Sequence, residues 1–442
     1  MNICINTIGS PLTSSWLKLG VASLIAAGLF SLLLVLSRTP GVQNIIPWID
    51  FFHTALVVHV NLSVLYWFMS FSCVFWSIYA GSKYLLVEKI ALILCLSGTI
   101  IIIVSPFMGA GKPLINNYIP VLQDALFLWG IGLFSAGVFL QCLRALSVLP
   151  AADAEIIKFA PYIAALLTIS AFIALMVSWL KLPIDQDQLI YFEYLFWGSG
   201  HILQFSHTAL LLFSWLLILS FAGGKLPCTS LLIKWLFIFL LVPLIYALYI
   251  YIVYPVFSPE HKTEFTSLMK YGGLTSLPLG LIIVWSIFKS KLCKNFESDA
   301  AKAALLSSII LFAAGGIIGF LIHGVNVVIP AHYHGSIVGV TLAFMGVAYY
   351  LLPLLGYKKP VWKMARIQPY IYASGQLMHI LGLAWSGGYG VQRKTAGAAQ
   401  GLDSLPEVVG MGMMGLGGLI SIIGGVLFLV VMIRSMWWAN SR

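Results

Sequence analysis

Long apolar stretches, separated by short polar connections, are the dominant pattern along this sequence. A run of about 18 or more apolar residues is what an α-helix needs to cross the ~30 Å hydrocarbon core of a membrane. The pattern therefore predicts an all-α integral membrane protein with a bundle of twelve transmembrane helices. The predicted spans are residues 16–37, 53–80, 90–108, 122–145, 159–180, 191–221, 230–254, 266–288, 303–322, 327–355, 370–388 and 408–433. No internal repeat stands out, which predicts a single helical domain over residues 1–442.

The composition and the charges add an orientation to this picture. Of the 442 residues, 60% are hydrophobic and only 9% are charged. Seventeen of the 24 Lys and Arg lie in the N-terminal flank, the even-numbered connections and the C-terminus, so both termini are predicted to be cytoplasmic by the positive-inside rule. The net charge of +10 is thus a topology signal, and no basic cluster has the spacing of a nucleic-acid-binding motif. The six cysteines show no CxxC pair.

The histidines carry the candidate chemistry, because ionisable groups inside a membrane are costly and usually functional. The nine are His53, His59, His201, His207, His261, His323, His332, His334 and His379. In the predicted orientation none of them lies in a cytoplasmic connection, which indicates a shared site in the outer half of the bundle. The alternative is that buried histidines bond one helix to another through their ring nitrogens.

The segment His332-Tyr333-His334 near the start of the tenth span is the sharpest local feature. At ~100° per residue, positions i and i+2 of a helix diverge by about 200°, so the two imidazoles cannot readily chelate one ion. Each can instead serve a different metal centre on either side of the helix. Haem iron suits this arrangement because a macrocycle needs one axial ligand per face. His59 could supply the second axial ligand of a bis-histidine haem.

These residues resemble a known family. The runs HGVNVVIPAHYHGSIVGVTLAFMGVAYYLLPLLG from His323 and GQLMHILGLAWSGGYGVQRK from Gly375 resemble spans ten and eleven of heme-copper oxidase subunit I, closest to its B family. VVHVNLSVLYWF on span two and FWGSGHILQF on span six fit the same plan in the same order. Twelve spans are the core architecture of that family.

The resemblance implies two haems and assigns residues to them. By this comparison His59 and His334 ligate a low-spin b-type haem, and His332 is the proximal ligand of a high-spin haem. His201 matches the first histidine of the copper site. Arg393 and Lys394 match a basic pair that holds haem propionates, which is sensible chemistry for cations above two dianionic macrocycles. Their alternative interpretation is a pair of solvated loop charges.

The sequence departs from the family in two places. The copper ion of the family takes two adjacent histidines at the outer end of span seven, but here the only nearby histidine is His261, in the connection beside Glu260. Phe205 stands where oxygen-reducing members hold a tyrosine that donates an electron and a proton. Members that reduce nitric oxide lack that tyrosine and often add a carboxylate to a non-haem iron. Besides the assigned histidines, further candidates for the site are His207, His261 and Glu260 as metal ligands and Gln204 as a catalytic residue.

Three functions stay open at the level of the sequence. The first is the catalytic subunit of a heme-copper-type reductase in the inner (cytoplasmic) membrane, with its haem side toward the periplasm, which reduces nitric oxide or dioxygen and holds copper or non-haem iron as a second metal. Because the chain has no CxxCH, its electrons would come from a periplasmic cytochrome c or from a small copper-type or cytochrome c-type subunit. The second is a non-catalytic haem protein for electron transfer or gas binding, and the third is a haem-free transporter.

Overall fold

The computed structural model describes residues 10–38, 51–109, 111–151, 155–290, 292–393 and 402–437. Most of this described chain is α-helical. The helices are α1 (Thr13–Arg38), α2 (Phe51–Val60), α3 (Trp67–Ala80), α4 (Leu85–Val104), α5 (Ala125–Leu146), α6 (Ile156–Lys181), α7 (Gln188–Phe221), α8 (Ser230–Phe239), α9 (Val242–Val253), α10 (Pro259–Gly272), α11 (Leu277–Lys289), α12 (Phe296–Phe320), α13 (Val328–Leu354), α14 (Trp362–Gly388) and α15 (Leu405–Trp437). Two short antiparallel strands, β1 (Pro113–Leu114) and β2 (Val121–Leu122), form a hairpin between α4 and α5.

The all-α membrane architecture predicted from the sequence is confirmed. Within the described ranges, eleven helical stretches are long and apolar enough to cross a membrane. The remaining predicted span, the eleventh along the chain (residues 370–388), lies inside the 27-residue α14, which at 1.5 Å per residue is about 40 Å long. The polar residues of α14 make it less apolar than the other spans.

Some predicted spans consist of more than one helix. A π-helical turn, Asn61–Tyr66, joins α2 to α3 within the second span. The seventh span is α8 followed by α9, and the eighth is α10 followed by a 3₁₀ turn and α11. Hydrophobic periodicity locates a span but does not mark such breaks inside it.

The start of α10 corrects the sequence interpretation of His261. The sequence placed this histidine in a connection before a span that begins at residue 266, whereas α10 begins at Pro259. Ser258 is the N-cap, and its hydroxyl oxygen accepts a hydrogen bond from the His261 backbone N–H at 3.1 Å. Proline is well suited to the first helical position because it lacks an N–H donor. His261 is therefore held in the first turn of a helix.

The chain divides into two compact units. The N-terminal unit comprises the described residues of Ile5–Leu210 and Ser230–Pro278, and the C-terminal unit those of Leu211–Thr229 and Leu279–Arg442. In the C-terminal unit, α13 is buried continuously over residues 338–352, and Leu311 of α12 and Ile380 of α14 belong to the same apolar core. The single domain predicted over residues 1–442 stays a prediction.

The surfaces of the helices carry apolar side chains, as a lipid environment demands. On α4, Leu86, Ile93 and Ile100 are spaced by seven residues and are exposed by 70%, 62% and 53%. On α9, Ile245 and Ile252 have the same spacing and are exposed by 71% and 74%. A spacing of seven repeats after about two helical turns, so each set forms one apolar stripe. Such exposed stripes would be a liability in water and are stable against lipid.

Candidate functional site

Three of the predicted ligand histidines share one hydrogen-bond pattern. In the N-terminal unit, the His59 Nδ1 donates to the Ala27 carbonyl at 2.8 Å, and the His201 Nδ1 donates to the Trp197 carbonyl at 2.7 Å. In the C-terminal unit, the His332 Nδ1 donates to a backbone carbonyl at 2.7 Å, that of Gly315. A carbonyl oxygen can only accept, so Nδ1 carries the proton and the neutral ring keeps its Nε2 lone pair. Metal-ligating histidines are oriented in this way, so each of these rings can ligate through Nε2.

The His332 ring packs closely against Gly319 of α12. A Cβ atom at Gly319 would lie 2.6 Å from the His332 Nδ1 and 2.8 Å from its Cε1, closer than real Cβ contacts come. The imidazole therefore occupies the space that any larger residue at position 319 would take. Together with the Gly315 carbonyl, this close approach fixes the position of the ring.

The second histidine of α13 contacts a different helix. The His334 ring lies edge to face against the His379 ring of α14, with the ring centroids 4.8 Å apart. The His379 Nδ1 in turn donates to the Met414 carbonyl of α15 at 2.8 Å. His332 is thus seated on α12 while His334 packs on α14, as expected for side chains about 200° apart around one helix.

Of the predicted basic pair, Arg393 lies beside α13. Its charge interacts with the Tyr333 side chain, which stands between the two α13 histidines in the sequence. The Val327 N–H donates to the Val391 carbonyl at 3.0 Å, which ties the segment before Arg393 to the start of the same helix. Lys394 lies outside the described residues.

His59 lies two residues before the π-helical turn of the second span. The Ser63 hydroxyl donates to the His59 carbonyl at 2.7 Å, and the Asn61 amide donates to the Val57 carbonyl at 2.9 Å. π-helical turns inside α-helices occur frequently at functional sites. This turn could not be predicted from the sequence, since its residues continue the apolar pattern of the span.

His201 is surrounded by aromatic rings within the N-terminal unit. It is 4% exposed, and its ring centroid lies 4.9 Å from that of Trp197, 4.9 Å from that of Tyr118 and 5.6 Å from that of Phe265. Trp197 precedes it by one turn of α7, whereas Phe265 comes from α10. Tyr118 comes from the hairpin between α4 and α5, and reasoning from the sequence missed it because a tyrosine in a connection carried no pattern.

The tip of the β1–β2 hairpin is tied to the helices that carry His59 and His201. The Asn61 amide donates to the Pro120 carbonyl at 2.7 Å. The backbone N–H of Asn117 donates to the Glu193 carboxylate of α7 at 2.9 Å, and Glu193 is also 3.2 Å from the Lys262 Nζ of α10. Through these bonds the hairpin tip has a fixed position against α7.

The remaining predicted metal ligands are differently placed. His261 is fully buried, its ring lies 4.9 Å from that of Tyr251, and neither of its ring nitrogens has a hydrogen-bond partner in the described part of the chain. The His207 ring packs edge to face on Phe68 at 4.9 Å. Glu260 is exposed. Among the described residues no three His, Cys, Asp or Glu side chains are grouped closely enough to hold a metal ion.

The donor set at His201 therefore does not fit a copper ion. Copper in proteins is normally held by three or more well-placed nitrogen, sulfur or carboxylate ligands. His201 and His261 both pack on Phe265, at 5.6 and 5.0 Å between ring centroids, but no third donor joins them among the described residues. Gln204 is half-buried and interacts with the Tyr118 side chain, and Phe205 is buried.

Comparison with known proteins gives a consistent result over most of the chain. Residues 12–427 match the model of the family described as Cytochrome C and Quinol oxidase polypeptide I. An uncharacterised protein of Rickettsia prowazekii (strain Madrid E) is 30% identical over an alignment of 500 positions, which covers 97% of this chain and 96% of the relative. An uncharacterised protein of Aquifex aeolicus (strain VF5) is 29% identical over 361 positions, covering 80% of this chain and 88% of that protein.

Proposed function

The chain belongs to the Cytochrome C and Quinol oxidase polypeptide I family, and on this basis we propose that it is the catalytic, haem-binding subunit of a membrane reductase for nitric oxide or dioxygen. In this proposal the chain would hold a low-spin haem that supplies electrons and a high-spin haem at which the gas would be reduced. The family consists of membrane-bound oxidoreductases of electron transport. Beyond membership of this family, we propose the substrate, the electron path and the roles of the residues.

The observation that carries the proposal is the shared orientation of the predicted ligand histidines. His59 and His332 each give their Nδ1 proton to a backbone carbonyl, at 2.8 and 2.7 Å, so each keeps an Nε2 lone pair for iron. The same two bonds join α2 to α1 and α13 to α12, so they orient each ring and tie the helices together at once. We assign His332 to the high-spin iron and His59 with His334 to the low-spin iron.

The protein itself would supply ligands, orientation and a dry pocket. When bound, the haem irons supply the redox chemistry, which side chains of this kind cannot perform. The Gly315 carbonyl orients the His332 ring and fixes its tautomer, which leaves the Nε2 lone pair for iron. Arg393 beside Tyr333 is placed to pair with a propionate carboxylate, and Lys394 shares this proposed role.

The partners of the proposed reductase follow from what the chain lacks. The sequence contains no CxxCH for covalent haem attachment. Electrons would therefore arrive from a periplasmic cytochrome c or from a small subunit of the copper or cytochrome c type. The protein is an integral membrane protein, and we place its haem side toward the periplasm from the distribution of Lys and Arg.

Nitric oxide is the substrate that the N-terminal unit favours. Phe205 has no hydroxyl with which to replace the tyrosine of oxygen-reducing members. Nitric oxide reduction needs no such tyrosine, although its enzymes hold a non-haem metal. The sequence offered His207, His261 and Glu260 as ligands of such a metal, copper or non-haem iron, but no three donors are grouped to hold it among the described residues.

The proposal is tested first by spectroscopy on the purified protein. Redox difference spectra should show two b-type haems, one of which binds carbon monoxide. Parallel assays of nitric oxide and dioxygen consumption, with elemental analysis for copper and non-haem iron, then identify the substrate and the second metal. A protein without haem would contradict the proposal and leave the haem-free transporter as the explanation.

A second candidate function is a haem protein that transfers electrons or binds gas without reducing it. The observation in its favour is the incomplete donor set around His201, where the His261 ring nitrogens have no hydrogen-bond partner and no third ligand is grouped with the two histidines in the described chain. This protein would show both haems and bind carbon monoxide. It would consume neither gas at a rate above that of free haem and would contain no second metal.

A further inference from the structure

His379 of α14 is a histidine to which the proposed function assigns no role. Its Nδ1 donates to the Met414 carbonyl of α15 at 2.8 Å, and this bond fixes the tautomer of the ring because a carbonyl oxygen can only accept. The ring lies 4.8 Å from the His334 ring of α13, measured between centroids, at an angle of 64°. All three residues belong to the C-terminal unit. A side chain bonded to α15 therefore packs directly on a predicted iron ligand of α13.

The backbone of α14 around His379 is held closely by α15. One turn before His379, a Cβ atom at Gly375 would lie 2.7 Å from the Gly417 carbonyl oxygen. One turn after it, a Cβ atom at Gly382 would lie 2.5 Å from the Gly410 carbonyl oxygen, and a Cβ atom at Gly417 would lie 2.4 Å from the His379 backbone nitrogen. The two helices thus pack backbone against backbone on both sides of His379. Together with the bond to α15, this packing gives the His379 ring a defined position.

The contact with His334 is the part of this arrangement that bears on ligation. A histidine that ligates a metal needs a defined ring orientation, which residues around it usually provide. For His332 the Gly315 carbonyl provides it through a hydrogen bond of 2.7 Å. At His334 the His379 ring lies edge to face against the ligand, an arrangement that two aromatic rings prefer to a face-to-face sandwich. The His379 ring therefore favours one plane for the His334 imidazole.

We propose that His379 is a positioning residue, which orients the His334 imidazole through the ring contact and so sets the axial ligation of the iron assigned to His334. This inference rests on the proposed function, because it needs a haem at His334. In this role His379 neither ligates the iron nor exchanges a proton with it. The bond to the Met414 carbonyl holds the ring in place, so α15 acts on the ligand through α14.

The test separates the ring of His379 from its hydrogen bond. His379→Phe keeps an aromatic ring against His334 and loses the bond to the Met414 carbonyl, whereas His379→Gln can keep that bond through its amide N–H and loses the ring. His379→Ala loses both. Leu381→Ala is the matched control, because it removes a side chain of the same helix that is 49% exposed.

The readouts are the electron paramagnetic resonance spectrum and the midpoint potential of the low-spin haem in the purified protein. Both depend on how the axial ligands are held by the residues around them. We expect the largest g value and the potential to shift in His379→Ala and His379→Gln, and to stay at the wild-type values in His379→Phe and Leu381→Ala. The affinity for haem should fall about tenfold in His379→Ala, the lower end for loss of a residue that orients a ligand.

The outcomes separate this inference from the proposed function. A shifted spectrum in His379→Phe, or an unchanged one in His379→Gln, would overturn the positioning role and leave the reductase intact. His379 would then be a hydrogen-bonded link between α14 and α15. These two variants decide the matter even where His379→Ala does not fold. A wild-type protein without haem would overturn both the positioning role and the proposed function.

Discussion

His332 on α13 and His261 on α10 are both shielded histidines near the start of a helix, but they are held in different ways. The His332 Nδ1 donates to the Gly315 carbonyl at 2.7 Å, which leaves its Nε2 free. His261 is fully buried with neither ring nitrogen bonded in the described chain, and it packs against the rings of Tyr251 and Phe265 at 4.9 and 5.0 Å. One imidazole is oriented by a hydrogen bond and the other by aromatic packing.

The difference shows how an imidazole oriented by a hydrogen bond can be told from one that is held by packing alone. A buried polar group without a partner is unfavourable by about 1–3 kcal/mol, and a neutral imidazole among aromatic rings gains only ring contacts in return. A ring with one nitrogen bonded to a carbonyl has a defined tautomer and a defined direction for its lone pair. By this criterion His59, His201, His332 and His379 each have a defined lone-pair direction at Nε2, and His261 does not.

The sharpest way to test this distinction is to remove His332. His332→Ala should abolish carbon monoxide binding and all gas reduction, because the proposed high-spin iron loses its protein ligand. The low-spin haem should remain, with a six-coordinate spectrum. The measurement is the reduced-plus-carbon-monoxide difference spectrum of the purified variant.

His334→Ala provides the reciprocal variant on the same helix. It should remove the six-coordinate haem and retain a haem that binds carbon monoxide. Both haems surviving unchanged in either variant would show that the ligand assignment on α13 is wrong.

The fold could be largely predicted from the sequence, because apolar length and the distribution of Lys and Arg act along the whole chain. Local features inside the spans could not. The π-helical turn Asn61–Tyr66 and the division between α8 and α9 interrupt no apolar pattern, so periodicity passes over them. The start of α10 was missed for another reason, since the Ser258 cap and Pro259 are signals that the polar composition of this segment obscured.

In the candidate site, too, one feature could be predicted from the sequence and another could not. The divergence of His332 and His334 follows from helical geometry alone, and it can be read from two positions in the sequence. The proximity of Tyr118 to His201 depends on a hairpin whose position is set by Asn61 and Glu193, residues that are 59 and 76 positions away from their partners. Contacts of that separation leave no periodic trace in a single sequence.

A smaller effect should follow from altering Gly319, which the His332 ring contacts, rather than the ligand His332 itself. In Gly319→Ala the new methyl group would lie 2.6 Å from the His332 Nδ1, so the ring must move and its bond to the Gly315 carbonyl weakens. Loss of a partner that orients a ligand typically lowers metal affinity about 10- to 100-fold. We expect haem occupancy, measured by pyridine haemochrome against protein concentration, to fall accordingly.

Gly316→Ala is the matched control for this variant, because a Cβ atom at Gly316 meets nothing within 4 Å. Replacing glycine by alanine inside a helix stabilises by about 0.5–1 kcal/mol where there is room. Haem occupancy should therefore be unchanged in Gly316→Ala. Equal losses of haem occupancy in both variants would mean that any alanine disturbs α12. The contact between Gly319 and His332 would then have no specific role.

The smallest effect on haem binding and stability is expected at His261, because packing and not ligation holds its ring. His261→Phe removes an unbonded buried imidazole, which is favourable by about 1–3 kcal/mol, and inserts a larger ring, which costs about as much, so the free energy of unfolding should change little. Haem spectra and any second-metal content should stay as in wild type, whereas His201→Phe in the same pocket should lower turnover. Specific loss of one metal atom in His261→Phe, measured by elemental analysis, would identify His261 as a ligand after all, and the absence of a hydrogen bond would then no longer separate packing histidines from metal-binding ones.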